Sequence, residues 1–409
     1  MTAVPLNGSN KALTCSILTN PEQLEQLRPA WADLLTRSVN NGPMLAPTWI
    51  LNWWHVFGHV GGRALSVVAF SHGGTLVGLA PLLRRRHWYA PGIPFWRLEA
   101  LGTGEHDSER VYSEYLGIIC ERGGEAQVTR ALVAAIVSGA LGRWDEFVIP
   151  HMDGERGLHH VLVEEFRRAG VEADCNVTEN APYAVLPATW EAYLKALPSS
   201  RRYFLKRSLR DFERWAGGYA KVHQAISPAE FEEGKRILIS LHNARWSCGG
   251  HPGMFRSPRF QAFHDSVMPA LLAEGALELM WLTVRNEPIA ALYNIAWDGR
   301  VYFYQSGRKL DLPRNIRPGV VMQIYAMQRA IEAGRREYDF LGGASQYKLQ
   351  LASSSRPLMQ LRAVRASLRE RVRSYAAYGV ACARVWRQSA YVSSWFSARE
   401  QVKPALNVR

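Results

Sequence analysis

Titratable side chains stand in two otherwise apolar segments of this sequence, where they suit proton transfer. Asp339 interrupts the apolar run YDFLG, and burying a carboxylate there is costly unless it is paired or functional. In ISLHNARW, His242 lies three residues before Arg245 and four before Trp246, so a helix groups the three side chains. We expect Asp339 and His242 to be catalytic: Asp339 is the leading candidate for a base or a substrate anchor. His242 is a candidate general base, because an imidazole with an ordinary pKa of ~6.5 titrates near neutral pH. The alternatives are a buried, hydrogen-bonded histidine and an aspartate paired with an arginine such as Arg245.

The net charge of the chain is strongly positive. Its 409 residues carry 49 Lys and Arg against 36 Asp and Glu, a formal charge of +13. Such a surplus predicts an anionic partner, which is a nucleotide-bearing cofactor, an acidic lipid surface or RNA. Residues 201–214 and the arginine- and aromatic-rich residues 362–409 concentrate this charge. A solvated helix face explains either segment equally well.

The cysteines and the N-terminal segment bear on the cellular compartment. Five widely spaced cysteines without a CxxC pair argue against a disulfide framework and against a zinc site, so no metal is expected. The N-terminal segment lacks the basic start and apolar core of a signal peptide, and no stretch reaches the roughly 18 apolar residues that span a bilayer. We therefore expect a cytoplasmic protein, with peripheral contact at the inner face of a membrane as an option.

Hydrophobic periodicity predicts an α/β architecture for the first half. Two helices near the N-terminus are expected before any strand. A hairpin around His72-Gly73-Gly74 and a strand over residues 113–120 follow. A buried helix over residues 125–140 and a strand over residues 144–152 complete the predicted order of this half.

The same order recurs in the second half. Three strand runs over residues 276–307 precede a helix over residues 319–334 and the strand REYDFLG. We interpret this as a duplication of α/β (α+β) units, each a mixed, mostly antiparallel sheet flanked by helices. The predicted domains are residues 1–185, residues 186–361 and a helical tail over residues 362–409.

Four segments of the second half together resemble a known family. They are HNARWSCGGHPGMF, EPIAALYNI, the loop RNIRPG before a helix, and AGRREYDFLGGASQYK. The set resembles the acetyltransferases associated with bacterial cellulose and exopolysaccharide synthesis, often labelled CelD or BcsL-like. The resemblance is clearest over residues 199–350, is looser over residues 14–180 and does not reach the tail. It implies the GNAT fold and a layout similar to the Fem aminoacyltransferases, which carry two GNAT-like units in one chain.

The resemblance implies a CoA site at the loop RNIRPG. A GNAT enzyme holds the pyrophosphate of CoA at a helix start, which carries free N–H donors and a partial positive charge. By this resemblance Arg314, Arg317, Gly319 and Val320 bind the cofactor. The loop departs from the family pattern because it has one glycine and a proline, which lacks an amide donor. Pro318 is equally typical of an ordinary helix start.

Further roles follow from the same resemblance. Backbone N–H groups of residues 302–306 stabilise the oxyanion if that strand is splayed from its neighbour, and Tyr304 is a candidate proton donor to the thiolate. The alternative for Tyr304 is a packed strand aromatic. Lys348 matches a lysine implicated in substrate binding in the Fem relatives, and a surface lysine in a flexible loop is the alternative. The corresponding first-half loop, ERGGE at residues 121–125, carries acidic groups that repel phosphates, so we expect the second unit to bind the cofactor.

The sequence therefore favours a CoA-dependent acyltransferase. Acetyl-CoA or another acyl-CoA is the expected co-substrate, with no permanently bound cofactor, and Arg245, Trp246 and Lys348 are the expected substrate residues. The acceptor is a small-molecule, glycan or lipid amine or hydroxyl of the cell envelope. One alternative is Fem-like transfer from an aminoacyl-tRNA, whose backbone suits the basic residues 201–214, although no coiled-coil insertion is evident. The other is a non-catalytic GNAT-like binding module in a polysaccharide synthase complex.

Overall fold

The computed structural model describes residues 13–90, 92–248, 250, 253–343 and 345–376. The elements of the first half are β1 Leu13–Leu18, α1 Pro21–Gln26, α2 Arg28–Arg37, α3 Pro47–Phe57, β2 Ala64–Leu65, β3 Val67–His72, β4 Thr75–Ala80, β5 Leu82–Ala90, β6 Ile93–Ala100, β7 Ile119–Cys120, α4 Glu125–Val137, β8 Glu146–Asp153, α5 Leu158–Arg168 and β9 Glu172–Val185.

The elements of the second half are α6 Trp190–Ala196, α7 Ser199–Ala216, β10 Ala220–Gln224, α8 Pro228–Cys248, α9 Pro258–Ala273, β11 Leu277–Val284, β12 Glu287–Trp297, β13 Arg300–Arg308, α10 Pro318–Glu332, β14 Glu337–Asp339, α11 Gln346–Leu351 and β15 Ser354–Val364. Residues 368–376 are helical, and the rest of the predicted tail, residues 377–409, lies outside the described residues.

The described part of the chain begins with the strand β1, which precedes the helices α1 and α2, so the prediction of helices before any strand is wrong. β1 pairs antiparallel with β3, from Leu13 opposite His72 to Leu18 opposite Val67. β3 turns into β4 through the predicted glycine hairpin, and the small sheet has the order β1-β3-β4-β7. Local periodicity does not reveal β1 because the partner that stabilises it is distant in sequence.

An eleven-stranded mixed sheet joins the two halves of the chain. Its order is β10-β11-β12-β13-β14-β9-β15-β8-β6-β5-β2. The long strand β9 pairs with β14 at one end and runs antiparallel to β15, which also pairs with β8. β15 of the second half therefore lies between two strands of the first half. The domain boundary at residue 185 falls at the end of β9 and stays a prediction.

Several elements of the first half differ from the sequence prediction. The hairpin β5–β6, the helix α5 and the strand β9 were not predicted. The strand predicted over residues 113–120 is reduced to Ile119–Cys120, and an irregular loop precedes it. In that loop Tyr112 and Tyr115 have φ values of 55° and 56°, which an extended strand does not contain. The predicted helices over residues 125–140 and 319–334 are confirmed as α4 and α10.

Each half contains two parallel strands that separate after three paired residues. In the second half Arg300–Tyr302 of β13 pairs with Glu337–Asp339 of β14. In the first half Arg97–Glu99 of β6 pairs with Glu146–Val148 of β8. Beyond these residues the strands of each pair are no longer paired; a cleft lined by both strands lies between β6 and β8, and a cavity lies beside β13. This repeated arrangement is the structural form of the duplication that the sequence predicts.

Matching ion pairs mark the start of both clefts. Each first-paired glutamate binds the arginine opposite it and a second arginine from β15. The pairs are Arg97–Glu146 at 2.7 Å, Arg362–Glu146 at 2.8 Å, Arg300–Glu337 at 3.4 Å and Arg356–Glu337 at 2.7 Å. β15 therefore ties both pairs of separating strands together.

Helices cover both faces of the second-half sheet. Alternate side chains of β13 point to opposite faces. Tyr302 and Tyr304 lie in the core formed with α8 and α9, whereas Val301 and Phe303 lie in the core formed with α7 and α10. The result is the predicted mixed α/β fold, with sheets flanked by helices.

Candidate active site

A cavity of about 320 Å³ lies at the start of α10, beside the part of β13 that has left β14. It brings together all four predicted cofactor residues and the predicted substrate residue Arg245. The lining residues that bear on chemistry are Arg245, Ser306, Arg308, Arg314, Arg317, Gly319, Val320, Gln323 and Tyr347. These predicted residues therefore lie around one cavity, and their binding roles stay predictions; the sequence did not single out Ser306, Arg308 or Gln323.

The cavity is strongly basic. Arg245, Arg308, Arg314 and Arg317 all line it, and none of the carboxylates in the described ranges pairs with them. Burial and the neighbouring charge of Arg245 lower the pKa of the Arg308 guanidinium. Four guanidinium groups around one cavity repel each other unless an anion offsets their charge. The arrangement suits a ligand with several phosphate charges.

The start of α10 forms one wall of the cavity. The amides of Val320 and Val321 both donate to the Arg317 carbonyl at 3.0 Å. In the first turn of α10, the Gly319 amide therefore has no hydrogen-bond acceptor among the described residues. A Cβ atom at Gly319 would lie 3.3 Å from Cδ of Arg308, so glycine keeps the space beside the helix start open. One amide and the helix dipole are available to a phosphate here.

A β-bulge interrupts β13 next to the cavity. Tyr293 pairs with Gln305, whereas Asn294 pairs with Phe303, so Tyr304 is the extra residue. Bulges disrupt a ladder locally and bend the strand. Together with the divergence of β13 from β14, the bulge gives the splayed strand on which the oxyanion expectation depended.

Tyr304 itself is packed away from this cavity. Its hydroxyl donates to the Val111 carbonyl and lies 3.2 Å from Nε2 of His264. Burial raises its pKa well above the ordinary value of a phenol. This environment matches the alternative that the sequence left open, a strand aromatic in the core.

His242 is likewise buried, under the ring of Phe255 at a centroid distance of 5.1 Å. Neither of its ring nitrogens makes a hydrogen bond within the described part of the chain. Burial lowers its pKa to about 4, so the imidazole is neutral at neutral pH. Its predicted neighbour Arg245 reaches Ser306 at 3.4 Å, whereas Trp246 is 40% exposed and does not line the cavity.

Asp339 is fully buried at the last paired position of β14. Its carboxylate accepts hydrogen bonds from the Tyr115 hydroxyl at 2.8 Å and the Leu341 amide at 2.7 Å, and it lies 3.5 Å from Arg356. The pairing with Arg245 considered from the sequence is therefore wrong, because Arg356 occupies that position. Burial raises the pKa of Asp339 to about 6, and Arg356 opposes the increase.

Glu114 is the main residue that the sequence analysis missed. Its Oε2 accepts a 2.7 Å hydrogen bond from the Gly342 amide, and Nζ of Lys348 donates to the Gly342 carbonyl at 2.5 Å. A Cβ at Gly342 would lie 2.4 Å from Glu179 and 2.8 Å from Glu114, so a larger residue there would displace these carboxylates. Burial raises the pKa of Glu114 to about 8, with the charge of Asp339 adding to the increase.

The signal for Glu114 was present in the sequence. SEYLGIIC places a carboxylate in an apolar run, as YDFLG does for Asp339. Lys348 is a half-buried residue that binds the backbone of the glycine pair, so the interpretation as a surface lysine is wrong. Asp339, Glu114 and Lys348 together form a group of titratable side chains around residues 341–342.

The described residues show neither a membrane-spanning helix nor a metal-binding cluster. No helix within them is long and apolar enough to cross a membrane. Their His, Cys, Asp and Glu side chains include no group of three or more that is arranged to hold a metal ion.

Comparisons with known proteins define the class. Residues 199–349 match the acetyltransferase (GNAT) domain, which contains the whole cavity. The structure is similar to FemX, with a TM-score of 0.57 at 11% identity over 82% of this chain and 95% of FemX. It is also similar to a conserved protein of unknown function from Bacteroides thetaiotaomicron VPI-5482, with a TM-score of 0.54 at 9% identity over 86% and 100%. No curated protein matches the sequence.

The two structural likenesses establish a shared fold. The match to the acetyltransferase (GNAT) domain indicates the class of protein, because the matched residues include the start of α10 and the splayed strand β13. The chain is an acyltransferase.

Proposed function

We propose that this acyltransferase is CoA-dependent and resembles the cellulose- and exopolysaccharide-associated acetyltransferases in its role. It moves an acyl group from acetyl-CoA or another acyl-CoA to an amine or hydroxyl of a cell-envelope, polysaccharide or lipid-amine acceptor. The observation that carries the proposal is the cavity at the start of α10, with four arginines that have no carboxylate partners among the described residues. The pyrophosphate and 3′-phosphate of CoA supply the anionic charge that such a cavity favours.

The transfer is direct in this scheme. The thioester lies beside the bulged part of β13, where backbone N–H groups near Phe303 and Gln305 stabilise the oxyanion. Asp339, with a pKa of about 6, is the proposed base for the attacking group, since a base with a pKa near the working pH is efficient. Its carboxylate is fully buried and is not part of the cavity lining. Arg245, which lines the cavity, and Lys348, next to the lining residue Tyr347, hold the acceptor. His242 and Tyr304 support β13 from the core under α8 and α9.

Steady-state kinetics with acetyl-CoA test this function. The release of free CoA is followed with a panel of amine, glycan and lipid-amine acceptors. Arg314→Gln and Arg317→Gln should each raise the KM for acetyl-CoA roughly tenfold or more, because each removes a charge-assisted contact to phosphate. Arg329→Gln, in the last turn of the same helix, is the matched control and should leave KM unchanged. Equal KM values for all four proteins would exclude this cavity as the CoA site.

Aminoacyl-tRNA is the second candidate donor, and the position of α7 favours it. Arg317 lies over the ring of Phe204 on α7 at 5.3 Å, so this basic helix borders the cavity. Arg207 and Arg210 on α7 keep about half of their side-chain surface exposed, at 51% and 58%. If tRNA is the donor, Arg207→Gln with Arg210→Gln weakens tRNA binding and reduces its salt dependence, and acetyl-CoA is not consumed.

An acceptor that belongs to the cell envelope or is a lipid suggests that the protein binds peripherally to the inner face of the membrane. Within the described residues, Arg365, Arg369 and Arg371 accompany Tyr375, which is 77% exposed. The remaining arginines and aromatics of this segment lie outside the described residues. Sedimentation with phosphatidylglycerol vesicles, compared with phosphatidylcholine vesicles, tests the proposal, because only the anionic surface attracts a basic segment.

A further inference from the structure

We infer that the first half contains a second ligand site, a cleft between β6 and β8 for a small polar molecule that carries a carboxylate or a phosphate. The cleft has a volume of about 200 Å³ and is lined by residues of both strands and of the loop after β6. It lies where β6 and β8 separate, as the cavity of the second half lies beside the separation of β13 and β14. The proposed CoA-dependent transfer does not use it, so the two inferences stand apart.

The backbone around this cleft is strained. Tyr112 and His151 line the cleft with φ values of 55° and 53°. Residues other than glycine rarely adopt positive φ, and such conformations cluster at ligand-binding and catalytic positions. Tyr115 and Leu341, which also have positive φ, both hydrogen-bond to Asp339 at the candidate active site. Positive φ outside tight turns therefore occurs both at this cleft and around Asp339.

One arginine of the cleft has no carboxylate partner. Arg85 binds Glu99 at 2.5 Å and Arg97 binds Glu146 at 2.7 Å, so these two charges are neutralised within the protein. Arg110 makes no ion pair with any described carboxylate, and its guanidinium lies 5.4 Å from the ring centroid of Tyr112. It is the cation of the cleft that remains available to a ligand.

His151 supplies a second ligand-binding group. Its Nδ1 is buried and has no hydrogen-bond partner among the described residues. A buried polar atom without a partner is costly, and a ligand in the cleft would provide one. Burial and the charge of Arg110 lower the pKa of His151 to about 4, so the ring is neutral and near that guanidinium. A neutral imidazole beside a free arginine suits a carboxylate or phosphate oxygen.

The acidic residues of the cleft do not cancel this preference. Glu105 accepts a hydrogen bond from the indole of Trp53, and burial raises its pKa to about 7, so it is partly protonated at neutral pH. Asp107 lies at the exposed rim. Glu99 is already bound by Arg85 and, more distantly, by Arg97 at 3.7 Å.

Calorimetry on the full-length protein tests the inference. The probes are inorganic phosphate, glucose 1-phosphate and glucuronate, with uncharged glucose as the reference. At least one anionic probe should bind and glucose should not, and the preferred probe identifies the group as phosphate or carboxylate. Arg110→Gln should weaken that binding roughly tenfold or more, since a charge-assisted contact is lost. His151→Asn should also weaken binding, because the imidazole that contacts the ligand is lost. The variant should keep the fold, because asparagine tolerates positive φ.

Arg86→Gln is the matched control. Arg86 lies on β5, next to the cleft residue Arg85. Its guanidinium lies 5.0 Å from the ring centroid of Trp96, outside the cleft, so the affinity for the anionic probe should be unchanged. Acetyl-CoA is titrated in parallel, and its affinity should be the same in all variants, which keeps this result separate from the fate of the proposed function. Absence of binding by all three anions, equal binding of glucose, or unaltered affinity in Arg110→Gln would overturn the inference.

Discussion

The Gly342 amide donates a 2.7 Å hydrogen bond to Glu114, and this contact joins the two halves of the chain beside the candidate active site. Glu114 belongs to the loop that follows β6, and Gly342 follows β14. On the other side of the same glycine, Lys348 binds its carbonyl. The loop between β14 and α11, the helix that carries the predicted substrate residue Lys348, is thus held by a buried carboxylate of the first half. The titration of Glu114 should therefore affect the stability of the whole protein.

Glu114→Gln should reduce the loss of stability that the protein undergoes as pH rises. The pKa of Glu114 is about 8 in the folded protein and 4.5 as its ordinary value. Between these values the folded state keeps a proton that the unfolded chain has released, so the free energy of unfolding falls as pH rises. Urea denaturation at several pH values between about 5 and about 8 should show a shallower fall for the variant. Parallel pH profiles would contradict the assigned burial of this carboxyl.

Arg356→Met should be strongly destabilising. Arg356 is 3% exposed and lies 2.7 Å from Glu337 and 3.5 Å from Asp339. Removing one partner from a buried ion pair leaves uncompensated charge and costs about 3–5 kcal/mol. Urea denaturation measures this cost as a lower midpoint with an unchanged slope.

An exposed ion pair provides the control for that variant. Arg336 binds Asp298 at 2.6 Å, but 54% of its side chain is exposed. Arg336→Met should therefore change the free energy of unfolding by about 1 kcal/mol or less, since solvent screens such pairs. Equal effects of the two substitutions would show that the Arg356 network contributes little.

Tyr304→Phe should cost stability without abolishing activity. The variant loses the hydrogen bond to the Val111 carbonyl, and a typical bond of this kind contributes about 0.5–1.5 kcal/mol. The aromatic packing against Trp49, at a centroid distance of 5.4 Å, is retained. If kcat falls by two orders of magnitude while the denaturation midpoint is unchanged, the hydroxyl is a catalytic acid after all.

The parts of the fold that local patterns specify could be predicted from the sequence. Glycine turns and strand runs identified the hairpin of β3 and β4, and helical spacing identified α4 and α10. The strands β1, β9 and β15 depend on partners far away in sequence, and the pairing of β15 with β9 joins residues 354 and 183. Single-strand periodicity contains no information about such a partner.

The candidate site likewise contains residues that the sequence could identify and contacts that it could not. Three of the four predicted cofactor residues lie within RNIRPG and the fourth, Val320, follows it directly, and all four line the cavity. The partners of Asp339 come from three separate segments, and Arg356 and Tyr115 lie in strand and loop positions that show no periodic signal. A carboxylate in an apolar run indicated that a partner existed, but only the assembled sheet identifies it.

Calorimetric titration of CoA into Gly319→Leu tests the central claim most directly. A side chain at this position enters the cavity beside Arg308 and should abolish CoA binding, while the thermal midpoint stays the same or rises because leucine favours helix more than glycine does. Gly124→Leu, at the start of the corresponding helix α4, is the control and should bind CoA as the wild type does. Loss of binding in Gly319→Leu alone is the predicted result. Unchanged CoA affinity in that variant would contradict the account.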